Sequence, residues 1–116
     1  MKILCICEHG NVRSVACAYL IKTIYGHDVL ACGVKEASTD TLIMLTNWAD
    51  KVIIMDKEVL ANPYLKSFYA KYQLIKNVPV LDQEVYLLDI GKDIWHNPYA
   101  QELHHKLLKE LKNLAL

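Results

Sequence analysis

Lys2-Ile3-Leu4-Cys5-Ile6-Cys7-Glu8-His9-Gly10-Asn11-Val12-Arg13-Ser14 opens the chain and orients the reading of the rest. Residues 2–6 are a continuous apolar run, the pattern of a strand buried on both faces. From Ser14 to Tyr25 the positions Val15, Ala16, Tyr19, Leu20, Thr23 and Ile24 recur at helical spacing, and Gly26 ends the segment. Cys7, Gly10 and Arg13 therefore fall on a short loop between a buried strand and a helix N-terminus. Such a loop turns backbone N–H groups toward one point and adds the positive end of the helix dipole. Gly10 lets the chain curl and come close to a phosphate. Arg13 offers a planar fork for two phosphate oxygens, which lysine does not reproduce. In such a nest a thiol gives up its proton readily, so Cys7 is the candidate nucleophile for in-line attack on phosphorus. Ser14 is a candidate hydrogen-bond donor to that sulfur. The spacing Cys-x-x-Gly-x-x-Arg-Ser thus predicts a phosphate-binding loop of Glu8, His9, Gly10, Asn11, Val12, Arg13 and Ser14 around Cys7.

Outward from this loop, strand-length apolar runs alternate with amphipathic segments. Residues 28–33 read as a second strand, and Ser38 or Thr39 caps a helix with Leu42, Leu45, Trp48 and Ala49 on its inner face. Residues 51–55 are a third strand. Residues 57–72 read as helical but broken at Asn62-Pro63, and the stretch 73–82 gives no clear pattern. Residues 84–90 read as a fourth strand. Asn97-Pro98 is expected to open a last helix with an inner stripe of Tyr99, Leu103, Leu107, Leu111 and Leu114. The alternation predicts one α/β domain over residues 1–116, a three-layer α/β/α sandwich on a four-stranded parallel sheet. Ligands in such sheets bind beyond the carboxyl ends of the strands, here the loops 7–14, 55–57 and 89–97.

Thirteen basic and thirteen acidic residues cancel over 116 positions. No basic footprint points to nucleic acid or to an anionic membrane, so an anion must be held by a local site rather than by a field. No apolar run approaches the roughly 18 residues that cross a bilayer. The first apolar run is too short for a signal-peptide core, and a cytoplasmic protein is expected. Cys5, Cys7, Cys17 and Cys32 all lie in the first third of the chain and are expected to be reduced thiols. Cys5-x-Cys7 with His9 suggests a metal cluster less well than it suggests two small apolar side chains at strand period. No metal or other cofactor is expected.

Taken with the run Trp48-Ala49-Asp50 to Met55 and an acidic segment before the last helix, the Cys-x5-Arg-Ser loop resembles the low-molecular-weight protein tyrosine phosphatases. The likeness is greatest to a short branch of predicted phosphatases, and it covers most of the chain. It implies Cys7 as nucleophile, Arg13 as phosphate clamp, Ser14 as thiolate partner and a phosphocysteine intermediate formed without metal. The implied substrates are phosphotyrosine in proteins or small aryl phosphates. Two departures stand out: Gly10 holds the place of the family's loop asparagine, with Asn11 following, and Glu8 sets a carboxylate beside the loop. Glu8 either points outward or selects substrates bearing a positive group. The family's second loop cysteine is also missing, with Val12 near its place.

The leaving group needs a proton, which the resemblance takes from an aspartate late in the chain. Aligning Pro98-Tyr99 with the family's Asp-Pro-Tyr would put Asn97 at the acid, where an amide has no proton to give. Aligning Asp89-Ile90-Gly91 with the short branch points to Asp93, the favoured general acid, with Asp89 second and an acid-free site as the third case. Trp95, His96 and Tyr99 either wall the pocket or pack against the sheet, and His9, His104 and His105 read as surface residues. The alternative to catalysis is a pseudo-phosphatase that binds a phosphorylated partner without turnover. A phosphocarrier is disfavoured by Arg13, and arsenate reduction by the lack of cysteines after Cys32. The sequence fixes no oligomeric state.

Overall fold

Two cores, one on each face of a parallel sheet, organise the molecule. The computed structural model describes residues 1–75, 83–91, 94–95, 97–114 and 116. Strands β1 (Lys2–Cys7), β2 (Asp28–Gly33), β3 (Lys51–Ile54) and β4 (Glu84–Leu87) lie in the order β2-β1-β3-β4, all parallel. Because β1 and β3 are the inner strands, their side chains are buried on both sides, which explains their unbroken apolar runs. Ile3, Cys5 and Cys7 with Ile53 and Met55 face helices α1 (Arg13–Leu20) and α4 (Gln101–Leu111). Leu4, Ile6, Val52 and Ile54 face α2 (Thr39–Trp48) and α3 (Pro63–Ile75). This is the three-layer α/β/α arrangement expected, and its radius of gyration of 13.2 Å suits one domain of this length.

The strand order reverses at β1. The chain leaves β1 toward β2, then returns past β1 to β3 and continues to β4. With right-handed crossovers, the first connection must lie on one face and the next two on the other. Loops leaving β1 and β3 therefore diverge to opposite faces and open a crevice at their carboxyl ends.

Several boundaries and faces differ from expectation. The first helix runs regularly only to Leu20 and finishes in a wide turn, Ile21–Tyr25, before Gly26 at φ 73°. Its buried residues are Arg13, Ser14, Ala16, Cys17 and Leu20, so the inner face is displaced from the predicted stripe. Tyr19 and Ile24 are exposed. Periodicity misjudges this face because Arg13 and Ser14, counted as polar, are themselves buried. Ser38 is the cap of α2, accepting from the Thr41 N–H. The break at Asn62-Pro63 is real: a 3-10 turn, Lys57–Ala61, ends there, and Asn62 Oδ1 accepts from the Leu65 N–H as α3 begins.

β3 ends at Ile54 and β4 at Leu87, shorter than predicted. Their apolar continuations Met55, Leu88 and Ile90 are still buried, as parts of the loops that converge on the sheet edge. Asn97-Pro98 does not open the last helix. Asn97 Oδ1 and its carbonyl accept from the N–H groups of Tyr99 and Ala100 in a turn, and α4 begins only at Gln101. Tyr99 is accordingly exposed, whereas Leu103, Leu107, Leu111 and Leu114 form the buried stripe.

Cys5 is wholly buried. Burial first, then its hydrogen bond with Cys17 and the nearness of the other thiols, push its pKa well above the ordinary 9.0. The native state then keeps a proton that the unfolded chain releases, so stability must fall as pH rises beyond the ordinary thiol value. Thermal melts across that range should show a steep alkaline loss, and Cys5→Ala should flatten it. An equally steep loss in Cys5→Ala would assign the effect to another group.

Candidate active site

β1 delivers Cys7 to the crevice. The ladder with β2 continues past it, since the Val34 N–H donates to the Cys7 carbonyl and the Lys35 N–H to that of Glu8. The chain then curls back at Gly10, whose φ is 77°. A Cβ on Gly10 would lie 2.4 Å from the Gly33 nitrogen, and one on Gly33 would lie 2.1 Å from the His9 carbonyl carbon. The loop thus lies directly on the backbone at the end of β2, and two glycines permit the contact.

Within this curl the Cys7 sulfur is almost wholly buried. It accepts from the Gly10 N–H at 3.0 Å and lies 3.1 Å from Ser14 Oγ. The Cys7 thiol donates to Ser14 Oγ, the reverse of the donation expected from Ser14. Val12 precedes α1 without any side-chain cap hydrogen bond, so its own side chain leaves the N–H groups of that first turn open. Asn11 is exposed, and among the described residues no side-chain hydrogen bond from it braces the loop.

Arg13 is fully buried. Its Nη1 donates to Glu58 Oε1 and to the Gly91 carbonyl, each at 2.7 Å. Its Nε and Nη2 are buried without a partner among the described residues. These two atoms share one edge of the guanidinium, the edge that takes two oxygens of a phosphate. Asp56, also buried, connects the remaining loops: its Oδ1 accepts from the Glu58 N–H and its Oδ2 from the Gly91 N–H. Gly91 turns back at φ 88° to make this possible.

The loops after β1, β3 and β4 therefore meet around one guanidinium. Sequence reasoning placed the site at this edge but missed Glu58, Asp56, Gly91 and Gly33. Asp56 and Gly91 carry a local signal, an aspartate and a glycine directly beyond the strands expected at 51–55 and 84–90. Glu58 carries none, because its role depends on residue 13.

Glu8 points toward Lys35 and pairs with it. That partner holds the Glu8 carboxyl below the usual carboxylate range and raises Lys35 in turn. His9 lies at the surface with Nδ1 3.2 Å from Glu36. Beside the loop a cleft of about 350 Å³ is lined by Glu8, Val34, Lys35, Glu58, Ala61 and Asn62. Neither Trp95 nor Tyr99 lines it. Trp95 packs against the α1/α4 core with Lys106 Nζ 5.6 Å over its ring, and Tyr99 sets its edge against Tyr19 at 5.3 Å. Asp89 is exposed and lines a different hollow with Lys106, Lys109, Glu110 and Asn113. Asp93, His96 and Lys92 lie outside the described residues. Burial, then the nearness of Cys7, push the Cys32 thiol up to about 11.

No protein-family profile matches this chain, and neither the curated proteins nor the solved structures give a match. What defines the site is its own geometry: a buried sulfur and a buried guanidinium edge in one strand-to-helix loop of a parallel α/β sheet.

Gly33→Ala tests that geometry. The added methyl has no space against His9, so the loop must lift, at about 1–3 kcal/mol by analogy with overpacked cores. Urea unfolding should show that loss, and binding of inorganic phosphate should weaken with it. A stable variant with unchanged phosphate affinity would mean the contact does not shape the loop.

Proposed function

We propose that the protein is a cysteine-dependent phosphatase of the low-molecular-weight tyrosine phosphatase type, hydrolysing phosphomonoesters through a phosphocysteine. The observation that carries this reading is the unpartnered Nε–Nη2 edge of the buried Arg13, in the same loop as the buried Cys7 sulfur. Buried polar groups in folded proteins nearly always have partners, and an oxyanion held bidentately satisfies both of these.

In the proposed reaction Arg13 and the loop N–H groups hold the phosphoryl oxygens, and the Cys7 thiolate attacks phosphorus opposite the ester oxygen. The P–O bond to the leaving group breaks as the S–P bond forms. The departing oxygen takes a proton from a carboxylic acid, assigned to Asp93. Water, giving its proton to that same carboxylate, then attacks phosphorus and releases inorganic phosphate and the thiolate. Ser14 stabilises the thiolate as it leaves. A sulfur this deeply buried favours the long reach of an aryl phosphate, including phosphotyrosine in proteins, over shorter alkyl esters.

The second reading, phosphate binding without turnover, draws support from Asp89, which lines a hollow against α4 and not the cleft beside the loop. Hydrolysis of an activated aryl phosphate in the presence of a chelator separates the two. The wild type should turn over, and Cys7→Ser should not, while inorganic phosphate still binds the variant. Turnover by Cys7→Ser near the wild-type rate would overturn the nucleophile; phosphate binding by a wild type that does not turn over would establish the second reading. Arg13→Lys should lower kcat/KM by at least about 10²-fold, since the bidentate grip is lost.

The acid has its own signature. Asp93→Asn should slow hydrolysis of esters with poor leaving groups far more than that of esters with good ones, because only the former need the proton. A series of substituted phenyl phosphates reads this as a steeper dependence of rate on leaving-group pKa. If Asp89→Asn steepens it instead, Asp89 is the acid.

A further inference from the structure

Arg13 belongs to the first turn of α1, yet both hydrogen bonds that hold its guanidinium come from elsewhere in the chain. We propose that Glu58 is a positioning residue of the anion site: with the Gly91 carbonyl, it fixes Arg13 through Nη1 and so presents the Nε–Nη2 edge to a phosphate. The proposal rests on the loop being a phosphate site, but not on turnover.

A terminal guanidinium nitrogen carries two N–H groups, and both on Nη1 are engaged, each at 2.7 Å. Two acceptors in different directions fix the rotation of the guanidinium plane, which a single acceptor would leave free. Glu58 leaves the bidentate edge open. A carboxylate acting as a blocking counter-ion would be expected to take that edge, since carboxylate and phosphate share the same fork geometry.

Both acceptors are themselves set by one side chain. Asp56 accepts from the Glu58 N–H at 3.3 Å through Oδ1 and from the Gly91 N–H at 2.9 Å through Oδ2. A single buried carboxylate at the end of β3 thus places the two groups that aim Arg13. Glu58 carries a cost as well, because its charge repels the anion that Arg13 attracts. Orientation and repulsion act in opposite directions on phosphate affinity, and that opposition makes the proposal testable.

The experiment titrates wild type, Glu58→Ala and Glu58→Gln with inorganic phosphate by calorimetry, well below each melting temperature. Glu58→Ala should bind at least about tenfold more weakly, because the fork loses its fixed plane. Glu58→Gln keeps a carbonyl oxygen that accepts from Nη1, and should stay within about threefold of the wild type or bind more tightly. A merely structural role would lower the melting temperature of Glu58→Ala without moving the phosphate affinity of the folded protein. If folded Glu58→Ala binds phosphate as tightly as the wild type or more so, Glu58 is only a counter-ion and the proposal is overturned. Should Glu58→Ala not fold, Glu58→Asp replaces it: one methylene shorter, it should lose affinity, and unchanged affinity overturns the proposal. A wild type that binds phosphate without hydrolysing it sinks the phosphatase reading and leaves the role of Glu58 standing.

Discussion

A guanidinium taken wholly out of water must be compensated on all sides, because its own desolvation costs several kcal/mol. Arg13 is in that position, and the crevice is built to answer it. Its Nη1 is met by groups from the loops after β3 and β4, and those loops are joined by Asp56. The carboxyl ends of three strands are thereby tied to the first residue of α1. The Nε–Nη2 edge is without a partner among the described residues. In a fold organised in this way the buried guanidinium is part of the structural core, and the two cannot be altered independently.

The same constraint explains why the approach of the loop to β2 is so close. To bring Cys7 and Arg13 onto one point the chain must reverse within five intervening residues. Gly10 turns at positive φ, and Gly33 lets the turn rest on the end of β2. The sheet order supplies the space on the other side, since the connections from β1 and β3 leave on opposite faces. Local glycine chemistry and global topology therefore act on the same few ångströms.

Most of the architecture was legible in the sequence because it rests on local pattern. Unbroken apolar runs mark β1 and β3, Ser38 marks a helix start through its own side-chain chemistry, and Asn62-Pro63 marks a break through the restriction proline imposes. The loop was legible because Cys7, Gly10, Arg13 and Ser14 all fall within eight residues. The failures occurred where tertiary partners decide. The inner face of α1 includes Arg13 and Ser14, which no hydrophobic pattern assigns to a core. Asn97-Pro98 carries a helix-start signal, but Asn97 spends its acceptors on a turn and α4 starts later. Glu58 lies 45 residues from its partner and Gly91 78, and no spacing rule connects them.

The charge arrangement follows from a chain with no net charge. Its positive groups at the site are the buried Arg13 and the helix N-terminus, while Glu8 and Glu58 stand in the cleft outside them and Lys35 pairs with Glu8. On the proposed function, an anion approaching the cleft would meet a rim of mixed sign and gain fully only once its oxygens reached the guanidinium edge. Long-range attraction is small, whereas attraction at contact is strong because the low-dielectric surroundings of Arg13 screen it little. Under that proposal the site would discriminate by the geometry of the oxyanion and not by its charge alone. On the proposed function, the cleft, with no aromatic residue among its described lining, would meet the group attached to the phosphate with carboxylates, a lysine and an amide.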